Sequence, residues 1–188
     1  SYGALSRAGF MRNPVVYRCV RLVAENVAAV PWLLYDGDRE IETHPLLDLL
    51  RRPNPSQDGA DLIETLCGHL LLSGAAHLEA VSLDGRPRQL HALRPDRVRT
   101  LAGADGWPVA VEYRVGSRVR RLSLEAGNEA APVLAIRLFH PLGDGEGLSP
   151  LEAAQTALDL HNAATRWNKA LLDNSARPSG ALVYQPGD

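Results

Sequence analysis

The sequence predicts an α+β body with an antiparallel or mixed sheet, followed by one long helix. Three observations carry that reading. Up to Ser73, apolar residues recur at spacings of three and four, the helical period. From Ala75 to Phe139 they recur every second residue between turn residues, the strand period. After a glycine-rich joint at 140–147, the run 151–176 contains neither Gly nor Pro.

Asn13-Pro14 opens the first long helix, because Asn caps well and Pro suits the first helical position. Val16, Val20, Val23, Val27 and Val30 then form the stripe expected to face the core, so Asp at Val20, Val23 or Val27 is expected to unfold the protein. Pro31 ends this helix. Trp32-Leu33-Leu34-Tyr35 suits a short strand, Asp36-Gly37-Asp38 a turn, and 39–42 the returning strand. A short helix starts at Pro45, runs through Leu46, Leu47, Leu49 and Leu50, and is broken by Pro53-Asn54-Pro55. The next helix spans about 58–72, burying Leu62, Ile63, Leu66 and Leu70, with Gly74 placed to end it.

Ala76, Leu78 and Ala80 then alternate with His77, Glu79 and Val81, and Asp84-Gly85 turns the chain into a strand at 88–93. Further strands are expected at 98–101, 109–115, 119–124 and 133–139, parted by Asp105-Gly106 and Gly116. Connections this short favour an antiparallel or mixed sheet over a parallel one. His69 and His77 read as polar groups of this body rather than catalytic ones.

Beyond the joint, Ser149-Pro150 starts a helix with Ser149 and Glu152 in capping-box spacing. It is expected to continue unbroken to about Ala176, roughly 27 residues or about 40 Å. Leu151, Leu158 and Trp167 stand among many Ala, with Asp159, His161, Asn162, Arg166, Lys169 and Asp173 between them. A small-residue helix of this length suggests close packing against helices of other chains. Arg177-Pro178 ends it, and 179–184 reads as a strand with no partner in the residues that remain. The chain is therefore expected to stop mid-fold, and its start at Ser1 rather than Met reads as a piece or a processed product.

Composition excludes several classes. With 45% hydrophobic residues and only 5% aromatic, the core must be built from Leu, Val and Ala. No apolar run approaches ~18 residues, so no membrane-spanning helix is expected. The first residues hold no apolar targeting core. Cys19 and Cys67 fall in helical patterns and are expected as buried free thiols rather than a disulfide. No CxxC, HExxH, GxxxxGK[ST] or GxSxG pattern occurs, so neither metal nor cofactor is expected and an enzyme is disfavoured. Gly143-Asp144-Gly145-Glu146-Gly147 lacks the Lys of a phosphate loop and reads as the joint.

Charge is unevenly spread. Residues 36–64 hold eight acids against three arginines, and 86–121 nine arginines against three acids. These are either solvated faces or the two sides by which one copy meets the next, with Asp36, Asp38 and Glu40 on one side and Arg118, Arg120 and Arg121 on the other.

The segments, taken in order, resemble the portal protein family of tailed phages, in the branch found in long-tailed phages, prophages and gene transfer particles. The likeness begins at Asn13-Pro14-Val15-Val16-Tyr17-Arg18-Cys19-Val20 and runs through Ala24-Glu25-Asn26-Val27-Ala28 to Pro31-Trp32-Leu33-Leu34-Tyr35. It resumes at His44-Pro45-Leu46-Leu47-Asp48-Leu49-Leu50, Leu70-Leu71-Leu72-Ser73-Gly74-Ala75-Ala76 and Leu93-Arg94-Pro95-Asp96-Arg97-Val98. Gly147-Leu148-Ser149-Pro150-Leu151-Glu152-Ala153-Ala154 and Arg177-Pro178-Ser179-Gly180-Ala181-Leu182 are the most specific matches. Ser73-Gly74-Ala75 departs from the Gly-Asn pair that many members carry.

The resemblance implies a ring of about twelve copies at one capsid vertex. Such a ring nucleates the head with major capsid and scaffold proteins, docks the terminase and the head-tail adaptor, and passes double-stranded DNA without reading it. It implies a wing domain at 1–147, a stem helix at 148–177 and the start of a clip at 178–188, where Ser179 and Gly180 would touch partners. It places the protein in the virion, and in the host cytoplasm during assembly. Arg166 and Lys169 are candidates to face the channel, unless they pair with Asp159 and Asp173. Two other readings compete: a phage-encoded hydrolase using His140 and Asp144, and a small monomeric adaptor protein.

Overall fold

The structure is a computed structural model that describes residues 2–125, 132–143 and 145–174. It divides into two units, Ser1–Ala153 and Ala154–Asp188. The first is α+β, as the periodicities predict. It opens with α1 (Tyr2–Ala4) and a π-helical turn (Leu5–Phe10), followed by α2 (Pro14–Ala28). The Asn13 side chain accepts hydrogen bonds from the Val15 and Val16 amides at 3.0 and 3.1 Å, so the cap expected from Asn-Pro is formed.

The buried face of α2 differs from the expected one. Val16, Val20 and Ala24 are buried, whereas Val23 and Val27 are 47% and 46% exposed. Steps of four residues advance about 40° around a helix. The core stripe therefore winds from Val16 through Val20 onto Ala24; Val23 falls on its flank, whereas Val27 shares the stripe's direction but lies in the last turn, where it stays exposed. Cys19 is exposed as well, and Cys67 half-buried.

A two-residue turn joins β1 (Tyr35–Asp36) to β2 (Arg39–Glu40). Trp32 and Leu33, expected in the first strand, lie before it and are 56% and 58% exposed. Next come α3 (Pro45–Arg51), capped by His44, and α4 (Gly59–Ser73), capped by Asp58 and ended by Gly74 at φ 78°. Gly supplies that left-handed cap without strain.

Two antiparallel three-stranded sheets follow. In the first, β3 (Ala75–Leu83) lies between β4 (Arg86–Leu93) and β8 (Val133–Arg137). In the second, β6 (Pro108–Val115) lies between β5 (Val98–Ala102) and β7 (Arg118–Ser123). Asp84 and Gly85, both at positive φ, make the β3–β4 turn that Asp-Gly signals.

The body is three layers. Leu62 and Leu66 of α4 pack with Ala76 and Leu90 of the first sheet, and α3 adds Leu49 and Leu50. On the opposite face, Leu93 and Val133 meet Val111 of the second sheet, joined by Val98, Tyr113 and Leu122. The alternation at 76–81 therefore separates two buried faces. His77 and Glu79, on the face that looked polar, are only 5% and 7% exposed because the second sheet covers them.

The expected unbroken helix is two pieces: α5 (Pro150–Ala153) and α6 (Gln155–Asp173), parted by Ala154 at φ −91°, ψ 6°. No Gly or Pro marks the break, so periodicity could not find it. The expected strand at 179–184, and Ser179 and Gly180, lie outside the described residues.

Val20→Asp is expected to abolish cooperative unfolding, since an unpaired buried carboxylate costs several kcal/mol. Val23→Asp should shift the melting temperature by only a few degrees, as exposed substitutions do. Thermal melts followed by circular dichroism separate the two.

Candidate functional site

The strongest local constraint lies where the start of β3, the end of β8 and α5 meet. The Gly74 carbonyl accepts the Leu138 amide at 2.8 Å. A Cβ on Gly74 would run into the Gly147 carbonyl, and one on Gly147 into the Gly74 oxygen. Two backbones touch there, which only glycine allows. Ser149 is fully buried; its hydroxyl donates to the Leu71 carbonyl at 2.7 Å and accepts from the Leu151 amide at 3.1 Å. Ser149 thus caps α5 at Leu151, one residue before the position a capping box uses, and ties the turn to the end of α4.

The second constraint is polar and joins the two sheets. Arg120 of β7 donates two hydrogen bonds to the Glu79 carboxylate of β3, at 2.6 and 2.9 Å, and its guanidinium lies 5.6 Å from the Tyr113 ring centroid. The Glu79 side chain is 9% exposed. Bidentate pairing of this kind satisfies a carboxylate taken out of water. Arg120, considered for a contact between copies, is thus already engaged by Glu79, although its own side chain is 47% exposed. Arg118 and Arg121 are exposed and without an ion-pair partner among the described residues, as are Asp36, Asp38 and Glu40.

Register shows which arginines share a face. Arg99, Glu112 and Arg121 are direct cross-strand neighbours on β5, β6 and β7, so they project from the same side, and Arg114 follows two residues along β6. This side faces away from Val111 and Leu122, and Arg99, Arg114 and Arg121 are exposed. Sequence order scatters these residues, and only strand pairing assembles them.

Two histidines are buried in the body. His69 of α4 meets the Tyr2 ring edge-on at 6.1 Å, and His77 lines a cavity of about 250 Å³ with Tyr2, Thr100, Glu146 and Glu152. Neither ring nitrogen of His77 has a hydrogen-bond partner among the described residues. Burial lowers both pKa values to about 4, helped at His69 by Arg94 against the opposing pull of Asp96, and at His77 by Arg137. No group of His, Cys, Asp and Glu among the described residues could hold a metal ion. His140 accepts the Leu142 amide at 3.1 Å, and its proposed partner Asp144 lies outside the described residues.

Within α6, Ala157, Leu160, Ala164, Trp167 and Leu171 follow at spacings of three and four and form one apolar stripe. Leu160 and Trp167 are 67% and 66% exposed. Asp159, Arg166, Lys169 and Asp173 lie on the opposite side by the same count. Lys169 pairs with Asp173 at 2.5 Å, whereas Arg166 has no ion-pair partner among the described residues. No described helix is long and apolar enough to cross a membrane.

The family model described as "Phage portal protein" matches residues 14–188. An uncharacterized protein of Rickettsia bellii (strain RML369-C) is 36% identical over 178 residues, covering 94% of this chain and 46% of its own. One of Rickettsia felis (strain ATCC VR-1525 / URRWXCal2) is 34% identical over 192 residues, covering 98% and 49%. Among solved structures, the chain is similar over its whole length to a chain in the neck of an empty gene transfer agent particle computed with C6 symmetry, at TM-score 0.87 and 52% identity, covering 50% of that chain. It is also similar to one in the virion of a native gene transfer agent particle, at TM-score 0.82 and 50% identity, covering 49% of that chain. The chain spans about half the length of the relatives it matches.

Arg120→Glu should cost about 1–3 kcal/mol in urea unfolding, because it strands the buried Glu79 carboxylate, although the arginine itself is half exposed. Arg121→Glu should cost under about 1 kcal/mol. Stability should also fall on acidification. The unfolded chain takes up histidine protons below about pH 6.5, whereas the folded one resists until about pH 4, so stability is full above the first value and lost towards the second. Denaturation followed across that window should show a shallower loss in a His69→Gln/His77→Gln variant than in the parent.

Proposed function

We infer the function from a membership that these matches establish: the chain belongs to the phage portal protein family. On that basis the whole protein is a portal subunit that assembles into a ring at one vertex of a phage or gene transfer particle. The ring is the channel for packaging and ejecting DNA and the docking place for the terminase and the head-tail adaptor. The observation that carries this is the full-length match, at 52% identity, to a chain of a gene transfer agent neck.

The role is mechanical, with no catalytic step. Residues 1–147 form the wing, 148–177 belong to the stem, and 178–188 begin the clip, where Ser179 and Gly180 reach partners. Capsid and scaffold proteins meet the ring during assembly in the host cytoplasm, and the finished ring stays in the virion. Arg166 and Lys169 face the channel. Two cations beside two acids on that side of α6 would attract a phosphate backbone only weakly, as sliding DNA requires. The apolar stripe of α6 packs against neighbouring helices, since exposed stripes at this spacing are the sign of helix-to-helix contact.

Negative-stain images of the full-length protein should show rings with a central hole. A monomer at every concentration by light scattering overturns the reading.

A further inference from the structure

We propose that the β1–β2 hairpin of one copy docks on the outer face of the β5–β6–β7 sheet of the next, at Arg97, Arg99, Arg114 and Arg121. This rests on the ring reading and names which surfaces meet. The hairpin is the first half of the case. All its residues from Tyr35 to Glu40 are exposed, and Val30, Trp32, Leu33 and Tyr35 at its base are each more than half exposed. A lone two-stranded hairpin is marginal in water, and an exposed cluster of large apolar side chains marks a contact surface. Its tip and return carry Asp36, Asp38, Glu40 and Glu42 against Arg39 alone.

The sheet face is the other half. A depression of about 340 Å³ is lined by Arg97, Arg99 and Arg114 with Asp96 and Glu112. Asp96 is already taken by Arg94, at 2.6 Å, and Arg121 stands opposite Glu112 in the register. The arginines of the depression and Arg121 have no ion-pair partner among the described residues, and Val119, opposite Arg114 in the register, is 46% exposed. One surface has four acids and one arginine; the other has four arginines and one free acid. Both also expose apolar side chains. Two different patches that complement each other give a head-to-tail contact, which closes into a ring rather than a two-fold pair. Arg120 takes no part, being held by Glu79.

The test uses the full-length protein. Arg99→Glu/Arg114→Glu/Arg121→Glu and Asp36→Arg/Asp38→Arg/Glu40→Arg should each slow ring formation about tenfold at low salt, while the melting curve keeps the parent's cooperative form. Combining both sets in one chain should restore most of the rate. If a triple reversal lowers the melting temperature, the corresponding Gln or Asn variants replace it, with a smaller loss of rate that added salt removes. Parental rates from each reversal, or a combined variant no better than either alone, overturn the proposal and leave the ring reading standing. Normal rings that lose DNA or scaffold binding also overturn it, by giving the arginine face to that partner. A parent that forms no ring overturns both.

Discussion

Everything in the body is referred to one contact, the touching backbones of Gly74 and Gly147. Gly74 ends α4 and leads into β3; Gly147 lies three residues before α5. Closing them together fixes the end of a helix, one end of the β3–β8 pair and the approach to α5 at one point. The Leu138-to-Gly74 hydrogen bond and the Ser149 hydroxyl on Leu71 hold the point from two sides. A loop of more than seventy residues is closed there, yet the entropic cost of closure grows only slowly with length. A dry backbone contact and two buried hydrogen bonds can therefore hold it.

The middle layer follows from the same closure. With β8 pinned beside β3, the first sheet has a helix layer on one face, and its other face must be covered by the second sheet. That second interface is thin in apolar residues: Leu93, Val111 and Val133 form its buried centre. Glu79 and Arg120 fill the remainder, and their geometry fixes the register of the two sheets more tightly than aliphatic packing would. The neutral histidines belong to the same economy. A body with few aromatics fills part of its interior with polar rings, and stays stable while those rings remain uncharged.

The sequence made local events legible and left contacts between distant segments dark. Asn13 and Gly74 sit at helix ends, where capping chemistry acts within four residues, and Asp84-Gly85 makes its turn without outside help. The α+β class followed from period changes that the structure repeats. A stripe at mixed three and four spacings does not say which edge is covered, as at Val23, nor how far along the helix the cover reaches, as at Val27. The burial of His77 and Glu79 is not legible in the sequence, since alternation cannot tell solvent from a second sheet. The break at Ala154 has no local signal. The portal motifs were recognisable because several of them mark backbone constraints: Gly147-Leu148-Ser149-Pro150 is the clasp and its cap.

The arginines show why a charge count along the chain is a poor guide to a surface. Nine of them between residues 86 and 121 suggested one basic side, but pairing register divides them. Arg120 turns inward and is spent on Glu79, while Arg99, Arg114 and Arg121 turn outward around Glu112. Changing Arg120 with its neighbours would mix a folding defect with an assembly defect, and the two would be indistinguishable in a ring assay. On the outward face the charges are Arg99 of β5, Glu112 and Arg114 of β6 and Arg121 of β7, while Val119 and Ser123 take the flanking outward positions of β7. In the proposed contact each exposed pair would contribute under about 1 kcal/mol, so only several together could set orientation. Such a contact would be weak singly and adjustable. The Glu79–Arg120 pair, its carboxylate buried and its guanidinium half exposed, has the opposite character, fixed once at folding.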